Sequence, residues 1–233
     1  MSTRKKFIIA LFFIILDVIL VVTFFSFRDA AMLNNLKKEV KSLSKLDVTK
    51  DRFNRKNVTT GDYEVVETAI KTYLDDYAVL LQETLKISND PSLKSILSYD
   101  NYSNDGPEFS KSLEYLNNNK KVFNENMDIL LSDLEEDKIS NYIIDKTNKE
   151  YCINLYRELM MNSDMKDSFD ETKKLLTLKR NKTNNIYDTS IEVLTFLSSN
   201  REMWKLEENQ IKFLDVSLYN QYMGLIGKIN VTE

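Results

Sequence analysis

One apolar segment stands apart from the rest of the hydrophobic pattern. Residues 7–27 contain 17 Phe, Ile, Leu and Val side chains and a single charged residue, Asp17. At about 1.5 Å rise per residue, a helix of this length spans roughly 31 Å, the thickness of a bilayer's hydrocarbon core. Burying Asp17 costs roughly 2.5–3.5 kcal/mol, which is less than the apolar residues together contribute. The segment is therefore predicted to be a single transmembrane anchor.

The flanks of this segment favour an anchor that is retained and points in one direction. A secretory signal peptide has a shorter apolar core, about 7–15 residues, and ends in a small-x-small site, where Asp29 would fit poorly. Arg4, Lys5 and Lys6 directly precede the segment, so residues 1–6 are predicted to form a short cytoplasmic tail. Basic residues after the segment compete with this signal. The bulk of the chain is expected on the extracytoplasmic side of the cell membrane.

Beyond the anchor, apolar residues recur every three or four positions, which is the spacing of amphipathic helices. The chain has only four Gly and two Pro, so the turn chemistry of a multi-strand sheet is missing. The predicted fold class is all-α: the N-terminal transmembrane helix, followed by an elongated antiparallel helical bundle of four to five helices. The predicted long helices cover residues 62–88, 107–136, 138–162 and 165–198, with a last helix beginning at residue 200.

The region between anchor and bundle, residues 28–61, is predicted to be a juxtamembrane stalk and linker, and residues 62–233 the helical bundle domain. Two short heptads support a stalk that continues the membrane helix, although two are weak evidence for a coiled coil. They comprise Leu33, Leu36, Val40 and Leu43. Residues 47–61 are polar, as is typical of a linker.

Local signals predict where the helices begin, end and break. Pro91 follows a break and begins a short helical piece, and residues 100–106 are predicted to be a loop. Two segments have the capping-box form: Thr147 to Glu150 divides the third helix, and Ser199 to Glu202 begins the last. That last helix would present Trp204 and other apolar residues on one face. Residues 179–185 are polar and indicate a break in the fourth helix.

Charge is distributed unevenly along the chain. The net charge is −4, yet residues 37–56 hold eight basic and three acidic residues. A basic juxtamembrane segment can contact anionic lipid or an anionic envelope polymer, although a solvated stalk in a Lys-rich chain is the simpler interpretation. The candidate contacts are Lys37, Lys38, Lys41, Lys45, Lys50, Arg52, Arg55 and Lys56. Nothing in the charge pattern indicates a nucleic-acid partner.

The composition removes many kinds of catalysis. The chain has no His, which excludes the commonest general base and imidazole metal ligands. The one cysteine, Cys152, has no His to activate it and is interpreted as a buried structural thiol. No phosphate-binding loop or dinucleotide motif is present, so no cofactor, no metal and no catalytic residue are predicted.

Two weaker candidates for chemistry deserve a structural test. Residues 101–106 place oxygen side chains at alternate positions before a Gly, as a calcium loop does, but Ser112 stands where such a loop needs a bidentate Glu. The acidic residues from Asp133 to Asp137 could supply paired carboxylates for glycan cleavage. The simpler interpretation of both is helix-end chemistry.

Asp17 is the residue most expected to contact another group inside the membrane, because an ionisable residue at that depth usually has a polar partner. It would meet a polar or basic group of another membrane protein, or a second copy of the chain when protonated. The alternative is a single charge that a very apolar helix tolerates without a partner. The predicted function is that of a membrane-anchored, non-enzymatic interaction or structural module at the cell envelope, with membrane lipid and a protein partner or homo-oligomer contacted through the membrane helix or stalk. The alternative is an extracytoplasmic ligand-binding or sensing bundle that signals through a separate membrane partner. The abundance of Asn, Lys and Ile suggests an AT-rich bacterial genome.

Overall fold

The computed structural model describes residues 28–230, and it confirms the mostly helical fold class. The predicted anchor over residues 7–27, with Asp17, lies outside the described residues. None of the helices between residues 28 and 230 combines the length and hydropathy that crossing a bilayer requires. The elements are α1 (28–43), α2 (Asp62–Ser88), α3 (Pro91–Ser95), α4 (Tyr99–Asp105), α5 (Ser110–Ser132), α6 (Glu136–Ile144), α7 (Glu150–Met160), α8 (Ser163–Ser199), β1 (Trp204–Glu207), β2 (Gln210–Phe213) and α9 (Val216–Asn230).

The described chain forms two compact units. The first unit comprises residues 28–47, 51–75 and 139–162, and the second comprises residues 48–50, 76–138 and 163–230. Residues 28–61, predicted to be a stalk and linker, thus belong to the first unit almost entirely. Leu36 and Leu43, from the predicted stalk stripe, are buried, and so is Phe53 from the predicted linker. The apolar stripe of α1 therefore contributes to a folded core.

The core of the first unit lies between α1, the first half of α2, α6 and α7. Val66, Ile70 and Tyr73 follow the helical period along α2, and all three are buried. The Tyr73 ring packs edge-on against Tyr142 of α6, with ring centroids 5.3 Å apart. The Tyr156 hydroxyl of α7 donates to the Ile139 carbonyl at 3.0 Å. The prediction that Cys152 is buried is confirmed.

The core of the second unit is dominated by α5 and α8, which run antiparallel. Three polar contacts between the helices show this direction. Residues later in α5 contact residues earlier in α8. Lys120 pairs with Asp188, Asn124 with Asn184 and Asp128 with Arg180. Beneath these contacts, Phe123, Met127, Leu130, Tyr187 and Leu194 are fully buried. α8 continues without the break predicted at residues 179–185, where Thr183 is buried in this core and Arg180 and Asn184 contact α5.

The prediction that the last helix begins at residue 200 is wrong for the first half of that helix. Residues 204–213 form a two-stranded antiparallel hairpin, with Trp204 paired to Phe213 and Glu207 to Gln210. The Asn200 side chain donates to the Phe196 carbonyl, so it ends α8 instead of capping a new helix. Trp204 is held in the core by stacking on Phe109 and by donating to the Leu197 carbonyl at 2.8 Å. Of the predicted helix, residues 216–230 form α9.

Two other local predictions need correction. Residues 99–105, expected to be mostly loop, form α4, whose N-terminus is capped by Ser98. The helix predicted to begin at Pro107 begins at Ser110, because Phe109 adopts a left-handed conformation (φ 55°) with its ring fully buried. The split between α6 and α7 is confirmed, but the residue before α7 is Lys149 and no side chain caps that helix. The bounds predicted for α2 are confirmed.

Candidate functional site

The first unit contains a buried cluster of charged residues on one face of α2. Glu67, Lys71 and Asp75 stand four residues apart, so their side chains follow one line along the helix. Each is at most 5% exposed. Glu39 of α1 lies against the same line. We call these four residues the α2 charge cluster.

Lys71 is the centre of the α2 charge cluster. Its ammonium lies 2.5 Å from a Glu67 oxygen and 3.0 Å from a Glu39 oxygen. It also donates to the main-chain carbonyls of Arg55 and Lys56, at 3.2 and 3.0 Å. A buried ammonium is stable only when its charge and its protons are compensated in this way. Lys71 therefore ties α1, α2 and the segment before α2 together.

The carboxylates of the cluster bind the extended segment 52–59. Asp75 accepts two hydrogen bonds from the Arg52 guanidinium, at 2.9 and 2.6 Å, and two from the backbone N–H groups of Phe53 and Asn54. Glu67 accepts from the N–H groups of Val58 and Thr59 and from the Thr59 hydroxyl. A segment without secondary structure thereby has its buried backbone donors satisfied.

These contacts also change the protonation of the carboxylates. The Arg52 guanidinium beside Asp75, with the two backbone N–H groups, lowers the pKa of that carboxyl to about 2 against the opposing effect of burial. For Glu67, burial acts to raise the pKa, but the hydrogen bonds from Lys71, Thr59 and the backbone outweigh it and the pKa is lowered. Both carboxylates are therefore ionised over the physiological pH range.

The structure divides the predicted anionic-surface residues between different environments. Arg52 pairs with Asp75, and Arg55 pairs with Glu39 and donates to the Ser42 hydroxyl. Lys37 lies 3.7 Å from Glu158. Lys38, Lys41, Lys45 and Lys56 are exposed in the first unit, whereas Lys50 belongs to the second. The two arginines thus act within the first unit, and the exposed lysines of α1 stay a predicted contact for anionic lipid.

Sequence reasoning missed the α2 charge cluster, although a signal was present. Glu67, Lys71 and Asp75 lie among the apolar residues of α2, at the helical spacing of a buried stripe. Alternating charge at this spacing is ordinarily a solvated face, so the pattern alone did not indicate burial. The partners on segment 52–59 lie 8 to 23 residues away along the chain.

A pocket of about 470 Å³ opens in the first unit where α1 meets the start of α2. The Tyr151 hydroxyl donates to that of Tyr63 at 2.8 Å, with the two rings edge-to-face. Burial, the Tyr151 contact and the charges of Asp29 and Asp62 raise the Tyr63 pKa. The described lining residues are Arg28, Asp29, Met32, Thr60, Gly61, Asp62, Tyr63 and Tyr151. We call this cavity the α1–α2 pocket.

The two weaker candidates for chemistry are occupied by structural contacts. In the calcium-like segment, Asp105 accepts from the backbone N–H of Ser112 at 2.7 Å, and Asn101 donates to the Ile96 carbonyl. In the acidic segment, Glu135 lies 2.9 Å from Lys173 and Glu136 lies 3.4 Å from Lys166. Within residues 28–230, no three acidic or Cys side chains converge in a way that could hold a metal ion.

Three exposed apolar residues lie on α9 in the second unit. Val216, Tyr219 and Met223 share one face and are 45–75% exposed, whereas Tyr222 is buried. The Tyr222 hydroxyl lies 3.2 Å from that of Tyr102. Among residues 216–230, Lys228 is the only charged residue. α9 therefore presents apolar side chains both to the core and to solvent.

Comparison with known proteins identifies no relative of this chain. No family model, no curated protein sequence and no solved structure matches this chain significantly.

Proposed function

We propose that this chain is a single-pass membrane protein whose folded part acts as a non-enzymatic interaction or structural module at the cell envelope. One observation carries the proposal. Residue 28, which directly follows the 21-residue apolar segment, already belongs to α1, and α1 is packed into the first unit through Leu36 and Leu43. An anchor at residues 7–27 would therefore hold the first unit against the membrane surface with no intervening linker.

The proposed orientation has the N-terminus in the cytoplasm and the bulk of the chain outside. Arg4, Lys5 and Lys6 adjoin the apolar segment on its N-terminal side. Long domains cross a membrane largely regardless of their charge, so the lysines of α1 do not oppose this orientation strongly. Lys37, Lys38 and Lys41 would then lie near the outer surface, available to anionic lipid or an envelope polymer.

A non-enzymatic role is supported by how the charged residues are used. The buried carboxylates of the α2 charge cluster are bound by Lys71, Arg52 and backbone donors, so they are committed to holding segment 52–59. The exposed apolar residues of α9 are of the kind that protein partners cover. Asp17 is proposed to contact a polar or basic group of another membrane protein, or a second copy of the chain.

Orientation can be tested with one introduced thiol. Cys152 is buried, and the Lys121 side chain is 75% exposed, so a Lys121→Cys variant presents one accessible thiol among the described residues. A membrane-impermeant maleimide should label this variant in intact cells, and the parent chain should react only after denaturation. Labelling of the variant that requires permeabilised cells would place the bulk of the chain in the cytoplasm and contradict the proposal.

The interaction role is tested by in-cell photo-crosslinking. A photoreactive residue at Tyr219 should yield a discrete protein adduct, whereas the same residue at Lys121, on the charged surface of α5, serves as the matched control. Asp17→Leu should abolish any adduct formed from within the membrane segment. Absence of adducts at Tyr219 and in the membrane segment, or robust turnover of envelope glycans or lipids by the purified chain, would contradict a non-enzymatic interaction module.

A further inference from the structure

The α1–α2 pocket lies directly after the apolar segment in sequence. Arg28 and Asp29, the first two described residues, both line it. If residues 7–27 span the bilayer, as proposed above, these two side chains lie at the level of the lipid headgroups. The pocket volume of about 470 Å³ falls within the range of small-ligand sites in proteins.

The described lining of the pocket carries both signs of charge. Arg28 is its one cationic side chain, and its planar guanidinium suits a phosphate group. Asp29 and Asp62 supply the negative charge, and both raise the pKa of the Tyr63 phenol. Asp62 is already bound by Lys149 at 2.6 Å, so Asp29 is the carboxylate left for a cationic ligand group.

Two aromatic rings also line the pocket, and the carboxylates of Asp29 and Asp62 lie near enough to raise the pKa of one of them, Tyr63. Tyr63 and Tyr151 meet edge-to-face with their centroids 6.0 Å apart, and Tyr151 is about half exposed. Aromatic faces beside carboxylates attract ammonium groups through cation–π and ionic interactions together. The lining therefore offers a partner to each group of a ligand that carries both a phosphate and an ammonium.

We propose that the α1–α2 pocket binds a zwitterionic phosphoammonium headgroup presented by the membrane, with the phosphate on Arg28 and the ammonium between Asp29 and the Tyr63–Tyr151 pair. This inference rests on the proposed function, because the anchor is what brings a lipid headgroup to the pocket. It adds a ligand class to that function. A headgroup bound there fixes the first unit against the bilayer surface.

The test uses the full chain in a neutral sugar-headgroup detergent and measures binding of short-chain lipids by calorimetry. Dihexanoyl phosphatidylethanolamine should bind saturably, and the dihexanoyl phosphatidylglycerol analogue, which lacks the ammonium, should bind at least about five-fold more weakly. Arg28→Gln and Asp29→Asn should each weaken binding of the ethanolamine lipid about ten-fold. Lys38→Gln, an exposed cation of α1 outside the pocket lining, should leave it unchanged.

Three results would overturn the proposal. They are equal binding of the two lipids, binding that neither pocket substitution alters, and equal affinity for free phosphoethanolamine, which would make the ligand a soluble zwitterion. Each variant must keep Cys152 protected from thiol reagents, since Cys152 is buried in the same unit. If one of the two pocket variants loses the protection of Cys152, the binding result of the other variant is used to judge the proposal. If the chain stays in membranes but does not bind the headgroup, only this inference is wrong. If the chain is released from membranes, the proposed function is wrong as well.

Discussion

At the scale of single residues, the most informative position is Lys71, because its ammonium is buried and serves four oxygen atoms. Composition and periodicity indicated a basic segment at residues 37–56 but not where its charges go. Arg52 and Arg55, which are predicted contacts for an anionic surface, bind Asp75 and Glu39. Sequence reasoning could not foresee this, since an arginine beside lysines has the same local pattern whether it meets lipid or a carboxylate 23 residues away.

Lys71→Met tests the structural role of the α2 charge cluster. Removing the ammonium leaves Glu67 and Glu39 without their shared cation, which should destabilise the first unit by about 3–5 kcal/mol. The protection of Cys152 from thiol reagents across a urea series measures this, because Cys152 is buried in that unit. Lys121→Met, at a largely exposed site, should change the same quantity by less than about 0.5 kcal/mol. Equal effects of the two substitutions would exclude a stabilising role for Lys71.

Asp75 should make the stability of the first unit depend on acidic pH. Its pKa is lowered in the folded state from 3.8 to about 2, so its contribution is complete above pH 4 and is lost as the pH falls towards 2. Asp75→Asn should therefore flatten the pH dependence of Cys152 protection between pH 4 and 2. The exposed-site variant Asp137→Asn is the control. An unchanged pH profile in Asp75→Asn would show that the Arg52 pair contributes nothing.

At the scale of elements, the long helices were predictable and the hairpin was not. α2 has the predicted bounds because its apolar spacing is regular and Pro91 follows its end. The hairpin was hidden because Trp204, Ile211 and Leu218 also fit a helical period. The competing signal was the alternation of apolar and polar residues on either side of Glu208 and Asn209, whose φ angles of 51° and 62° form a tight turn.

The turn gives a prediction at this scale. Asn tolerates the left-handed conformation, whereas a β-branched residue does not, so Asn209→Val should destabilise the second unit by about 1–2 kcal/mol. Asn209→Gly, which fits that conformation freely, should be neutral or stabilising. Trp204 is the only Trp of the chain and lies in β1, so its fluorescence during urea unfolding follows this event. If Asn209→Val and Asn209→Gly unfold alike, the turn conformation is not what holds the hairpin.

At the scale of the whole molecule, the sequence indicated helices but not how they are grouped. A single bundle over residues 62–233 was expected, whereas residues 28–47 and 51–75 group with residues 139–162 in one unit. Contacts within this unit, such as that of Lys149 with Asp62, join residues 87 positions apart. Helical periodicity reports which face of a helix is buried, but not which distant helix covers it.

The central proposal is that residues 7–27 anchor the chain in a membrane and lead directly into the first unit. Alkaline carbonate extraction of membranes from cells that express the full chain tests it most directly, with a variant lacking residues 7–27 as the reference. The full chain should stay in the membrane pellet, and the variant should be soluble with unchanged Trp204 fluorescence. Release of the full chain into the alkaline supernatant would contradict the account.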